Sequence, residues 1–170
     1  MKTRIFIALL AACTCLHAQG DKAAALLVKG RMAEKSGDVA AARAAYTEAL
    51  RLQPSNPHAR YQLNELNRNA GAVAARGREK KLASVELPVI DFQRVELKES
   101  LEALAHLIEK ETNEEYAPNF LVKDPSNKFE GREVNLKLKS VPAKATLDMI
   151  LQQVGGKAVY EEHAIVVTPR

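Results

Sequence analysis

Three of the four histidines, two glutamate pairs and one dense basic run are the groups in this sequence whose types and spacing invite chemistry. His58, His106 and His163 lie far apart in sequence, on three separate predicted elements. None stands beside a cysteine or at metal-ligand spacing from paired carboxylates, so no metal site is expected. Glu114-Glu115 and Glu161-Glu162 are adjacent pairs in loop-like contexts. Neighbouring carboxylates can tune each other for acid–base work, but solvated turn charges are the simpler reading. No phosphate loop, nucleophile elbow or zinc-protease helix motif is present, so no catalytic residue and no cofactor are assigned. Residues 76–81, Arg-Gly-Arg-Glu-Lys-Lys, form the one dense basic run. It could meet phosphates, yet no aromatic residue is interleaved for base stacking. A solvated helix face between two structural units is the expectation.

Charge and length bound what must position these groups. The 170 residues suit one domain or two small ones. Lys and Arg total 25 against 21 Asp and Glu, a net +4. The N-terminus reads as an export leader: Lys2 and Arg4 precede the apolar run Ile5–Ala12. That run is too short to span a bilayer as a helix, which takes about 20 residues. Cleavage after Ala18 gives a signal peptide over 1–18. Alternatively, Leu10-Ala11-Ala12-Cys13 resembles a bacterial lipobox, with Cys13 as the lipidated start. Losing 1–18 removes both cysteines along with Lys2 and Arg4, which lowers the net charge to +2. The remainder is polarised: residues 21–81 hold 12 basic and 6 acidic side chains, residues 82–170 hold 11 and 15. This asymmetry argues for two units, and an overall positive charge is therefore no argument for nucleic acid.

The basic half is expected to be helical over 21–69, with 70–85 as a helical linker or capping helix. Ala is abundant and no Pro occurs from Lys22 to Gln53. Gly37 can end one helix in the left-handed conformation and Asp38 can cap the next. Ala42, Tyr46, Ala49 and Leu50 share a face of the second helix. Pro54 and Pro57 stop it and start a third, on which Tyr61, Leu63 and Leu66 read as apolar positions. Leu26, Gly30, Ala33, Gly37, Asp38, Ala42, Tyr46, Ala49 and Pro54 fall at the spacing of a tetratricopeptide repeat, and residues 23–56 resemble one unit of that family. The segment from Pro57 resembles the start of a second, degraded unit, with Arg76 and Lys80 where small and aromatic residues belong. The resemblance implies a protein-binding role. Such repeats bury their faces against neighbours, so the hairpin is expected to lean on the next helix, the second domain or a partner.

The acidic half, 86–170, reads as an α+β unit in the order βαββαββ. Residues 87–92 form a strand. Leu97, Leu101, Leu104 and Ile108 make the apolar stripe of a helix. Residues 120–122 are a short strand, and Val134, Leu136 and Leu138 alternate with polar residues. Pro142 opens a second helix, whose apolar face is Ala143, Leu147, Ile150, Leu151 and Val154; Gly155 ends it. Residues 158–160 and 164–167 close a hairpin. The predicted core is Phe92, Leu97, Leu101, Leu104, Ile108, Leu136, Leu138, Leu147, Ile150, Leu151, Val154, Ile165 and Val167. The order, with Ser100-Leu101, Asp124-Pro125, Val134–Leu138, Val141-Pro142 and Ile165–Val167, resembles the short N-terminal domain shared by secretins and TonB-dependent receptors. The chain departs from that family in its longer loop over 111–119.

These readings converge on a non-enzymatic, exported interaction protein of the bacterial envelope, periplasmic or outer-membrane-associated. Its membrane attachment would be at most a lipid on Cys13. Protein partners, an outer-membrane assembly or a second copy among them, are expected; nucleic acid is not. An exposed strand edge, at 134–138 or 164–167, would take up a partner strand. Two other readings stand beside it: a periplasmic hydrolase using paired carboxylates, and a binder of anionic polymer or lipid headgroups through residues 76–81.

Overall fold

Helix-forming Ala-rich sequence and three turn signals lay out the first unit. The computed structural model describes residues 3–170, with side chains from Gly20 onward. The leader over 1–18 and the lipidation candidate Cys13 turn on side chains outside the described residues. Two compact units divide the chain, Met1–Val73 and Ala74–Arg170. The first comprises α1 (Thr3–Ser36), α2 (Val39–Leu52) and the N-terminal part of α3 (Pro57–Ser84). Gly37 turns the chain at φ 84°. Asp38 N donates to Ala33 O (2.9 Å) and Gly37 N to Glu34 O (3.1 Å), closing the end of α1. Asp38 then caps α2, its Oδ1 accepting from Ala41 N at 2.8 Å. Pro57 takes the first position of α3, where no N–H is needed, and Asn56 Oδ1 accepts from Ala59 N at 3.1 Å.

Among the described residues, the core of this unit contains Ala42, Tyr46, Leu66 and Val73, with Leu27, Ala33, Val39 and Leu63 packed against them. Ala49 is buried too, while Leu26 is half-buried and its neighbour Leu27 makes the core contact. Tyr61, expected as an apolar face residue, is 61% exposed. Helix α3 runs unbroken from Pro57 to Ser84 and so includes residues 70–84.

The second unit follows from two amphipathic helices laid on two small sheets. Its elements are the end of α3, β1 (Glu86–Glu96), α4 (Leu97–Glu111), β2 (Phe120–Val122), β3 (Glu133–Pro142), α5 (Ala143–Val154), β4 (Gly156–Tyr160) and β5 (Ile165–Pro169). β1 and β3 form an antiparallel ribbon, and β2-β5-β4 form the other sheet. β2 runs parallel to β5, and β4 antiparallel to it. The ribbon bulges between Phe92 and Val95, where Arg94 takes φ 52°. Asn135 Oδ1 accepts the freed Arg94 N–H at 2.9 Å. Pro142 ends β3 and stands one residue before α5, because the strand continues to the helix without a loop.

The buried stripe of α4 is Leu97, Ser100, Leu101, Leu104 and Ile108. It packs in one core with Leu147, Ile150, Leu151 and Val154 of α5, Phe92 of β1, and Ile165 and Val167 of β5. Leu136 and Leu138 border this core half-buried. Leu82, Val85, Leu87, Ile90, Phe129 and Val134 complete it, and none of them is in the core set expected from sequence.

Gly155 ends α5 at φ 73°, and a Cβ added there would have nothing within 4 Å. Gly155→Ala therefore meets no clash and suffers only the left-handed backbone strain. The expected loss is about 1 kcal/mol, read as a lowered denaturant midpoint with an unchanged slope.

Candidate interaction surfaces

The groups that invite chemistry do not converge. His58 lies on α3, His106 on α4 and His163 in the β4–β5 turn. The His106 and His163 side chains are 79% and 88% exposed, each 3.9 Å from a neighbouring glutamate. Among the described residues no three His, Cys, Asp or Glu side chains are placed to hold a metal ion. Glu114, Glu115, Glu161 and Glu162 are all exposed.

In the basic run Arg76, Lys80 and Lys81 are exposed and Arg78 is half-buried, and Arg78 and Lys81 have the following partners. Arg78 donates to the main-chain carbonyls of Glu161 (3.3 Å) and Glu162. Lys81 Nζ sits 4.7 Å from the centre of the Tyr116 ring, a cation–π contact. Glu79 pairs with Lys144 at 3.7 Å. Within the second unit, these side chains tie the end of α3 to the β4–β5 turn, the loop before β2 and α5. Arg78 and Lys81 thus already have partners where an anionic ligand would need them open.

Two edges of the three-stranded sheet remain. At β4, Arg170 N donates to Gly155 O (3.0 Å) and Glu161 N to Ala164 O (2.9 Å). Two-residue alternation then turns the main chain of Gly156, Ala158 and Tyr160 outward. A cavity of about 550 Å³ lies beside this edge, lined by Glu79, Lys144, Asp148, Lys157, Tyr160 and others. Lys144 Nζ meets Asp148 at 3.0 Å and Glu79 at 3.7 Å. The Asp148 hydrogen bond leads in raising the lysine above its usual value, with burial opposing. Burial, then the charges of Asp148 and Glu79, push the Tyr160 phenol far above its ordinary range. The two carboxylates, Glu79 and Asp148, are 46% and 54% exposed and share one ammonium. They form an open ion-pair cluster.

The other edge is β2. Ile165 N donates to Asn119 O and Lys123 N to Val167 O, both at 2.8 Å. The same alternation places the Leu121 main chain toward β5 and leaves the N–H and C=O of Phe120 and Val122 on the open side. A groove of about 480 Å³ runs between this strand and α4, with Leu101, Ala105, Pro118 and Phe120 among its lining. Leu121 and Val122 are both exposed. An open strand edge above an apolar groove supplies main-chain partners and side-chain pockets together, which is what strand addition requires.

The two edges expected from sequence are less open. β5 is the central strand, held by β2 on one side and β4 on the other, so 164–167 offers no edge. Its run Ala164–Val167 is buried throughout, the pattern of a strand covered on both faces. On β3, Gln153 Nε2 donates to Asn135 O (2.8 Å) and its Oε1 accepts from Asn135 N (2.9 Å). A side-chain amide therefore takes the place a partner's peptide group would fill. Lys137 and Lys139 follow along the same edge, both exposed, and edge lysines oppose strand pairing. Sequence reasoning found the β2 strand but not that it lies at an edge, because its place beside β5 is set by the sheet order.

In the first unit a smaller cavity of about 270 Å³ is lined by Leu27, Arg31, His58 and Gln62. Met32, 67% exposed, and Val28 on α1 and Tyr61 on α3 are large apolar side chains left in solvent. Among the described residues no helix is long and apolar enough to cross a membrane.

Comparison with known proteins bears on the first unit. The tetratricopeptide repeat family model matches residues 6–57 and, in a second overlapping match, residues 27–77. The match supports the tetratricopeptide reading of the N-terminal segment, in a chain of mixed helix and strand. No curated protein and no solved structure gives a significant match to the chain.

Proposed function

We propose that this protein is an exported, non-enzymatic interaction module of the bacterial envelope that docks an extended segment of a protein partner along β2. Repeats of the tetratricopeptide kind suggest protein–protein interaction. The observation that carries the finer reading is the open main chain of Phe120 and Val122 above the α4–β2 groove. The β4 edge is the weaker candidate, since an apolar strand docking there would desolvate the Glu79–Lys144–Asp148 cluster.

The envelope setting rests on the leader-like residues 1–18, with Cys13 as the lipidation alternative. An accessory role beside a secretin or TonB-linked channel rests on the resemblance of 86–170 to the short N-terminal domain of those proteins. Both are arguments from sequence. Against the carboxylate-hydrolase reading stands the exposure of Glu114, Glu115, Glu161 and Glu162, and against the anion-binder reading the engagement of Arg78 and Lys81.

A photo-crosslinking residue at Leu121, compared with one at Lys139, tests the reading in cells. The expected result is a discrete crosslinked envelope protein from position 121 and none from 139, with the protein itself in the periplasmic or outer-membrane fraction. Equal labelling from both positions would refute docking at β2, and a cytoplasmic location would refute export.

A further inference from the structure

Resting on that reading of the β2 edge, we infer that the end of α3 is its brace, with Arg78 and Lys81 as positioning residues for the docking strand. β2 has three residues and pairs with β5 alone. So short a parallel edge has few main-chain bonds of its own to hold it. Its pairing begins where Ile165 N donates to Asn119 O at 2.8 Å. Two segments lead into that bond. The loop after α4 brings in Asn119, and the β4–β5 turn brings in Ile165.

The loop is strained within itself. Asn113 and Glu114 stand at φ 51° and 65°, a left-handed backbone that is costly for a residue with a Cβ. Tyr116 N donates to Thr112 Oγ1 at a long 3.2 Å. The stronger hold comes from outside: Tyr116 packs against the core of the second unit, and Lys81 Nζ lies 4.7 Å from the centre of its ring. The turn is held by Arg78, which donates to Glu161 O (3.3 Å) and Glu162 O.

The spacing joins the two holds. Tyr116 stands three residues before Asn119, and Glu162 three before Ile165. Arg78 and Lys81 are themselves three apart, neighbours on one turn of α3. A single turn of helix thus grips both chains that meet in the first bond of the β2–β5 pairing. At the far end of β2, Lys123 and Glu161 pair at 3.8 Å with both side chains about half exposed, and such pairs contribute little. The brace therefore acts at the start of the strand, beside the outward main chain of Phe120. An edge held in line before a partner arrives spares the partner the entropy of ordering it.

Hydrogen exchange and crosslinking on the full chain test this. Arg78→Ala and Lys81→Met should each speed exchange at the Ile165 amide at least about tenfold, while amides inside α5 keep their protection. Lys81→Arg keeps a cation over the ring and should restore the parent rate. Arg76→Ala, at an exposed position of the same helix, should change nothing. The crosslink from position 121 should weaken in Arg78→Ala and Lys81→Met and return in Lys81→Arg.

Unchanged exchange at Ile165 in both variants would overturn the brace, whatever the crosslink shows. Protection lost equally throughout α5 would overturn it as well, because the two side chains would then support the whole unit rather than this strand. Faster exchange at Ile165 with an undiminished crosslink would overturn the link between brace and docking. A parent chain that gives no crosslink from 121 refutes docking at β2 itself, and the brace is then decided by exchange alone.

Discussion

Leu147→Ala will destabilise the second unit by about 2–5 kcal/mol, the range for deleting a fully buried leucine side chain where the surroundings cannot collapse. Leu147 is completely buried in the middle of α5. That helix packs on α4, β3 and β4, so the deleted atoms leave a void bounded by both sheets. A domain of this size has a total stability of about 5–15 kcal/mol, and the substitution removes a large share of it. Met149, two residues on, is 39% exposed. Met149→Ala is the control and should stay within about 0.5 kcal/mol of the parent. Chemical denaturation followed at amides of β5 reads both. A shift below about 1 kcal/mol for Leu147→Ala would show that the core is looser than its burial indicates.

Whether a residue of this core was legible in the sequence depended on how local its burial is. Leu97, Leu101, Leu104 and Ile108 lie on successive turns of one helix, and their spacing alone marks the buried face. Gly37-Asp38 was equally legible, because a left-handed turn and a cap are written in adjacent residues. Leu82 was hidden by its surroundings: the basic run before it reads as solvent-facing, yet Arg78 and Lys81 are bound to main chain and ring.

Phe129 has no periodic neighbours at all. It is buried because Asp124 Oδ2 accepts its N–H at 2.7 Å and folds the 124–132 loop inward. Burial works against the charge on Asp124, but the N–H groups of Phe129, Lys128 and Ser126 together hold its carboxyl below the usual value. The edge assignment failed for another reason. Strand order is a property of the sheet, and no window of sequence contains it. One signal was available: Ile165-Val166-Val167 is uniformly apolar, as a central strand should be, while Lys137 and Lys139 interrupt the pattern of β3.

Gly30→Ala will disrupt the first unit even though alanine is the better helix former. A Cβ at position 30 would stand 2.3, 2.6 and 2.8 Å from the Cε1, Cδ1 and Cζ atoms of Tyr46. Tyr46 is fully buried, and its hydroxyl donates to Glu34 Oε2 at 2.8 Å. Burial, and after it that carboxylate, push the phenol well above its ordinary range. To retreat from the new methyl the ring must give up the anchor or separate α1 from α2. Overpacking of this kind costs about 1–3 kcal/mol or more, against about 1 kcal/mol returned by helix propensity. Hydrogen exchange on the full chain should show amides of α1 and α2 losing protection while β5 keeps its own. Adding Tyr46→Leu removes the obstructing ring, so the double variant should recover part of the loss. If Gly30→Ala alone leaves exchange unchanged, α1 and α2 do not approach as closely as the glycine requires, and the repeat packing described for this unit is wrong.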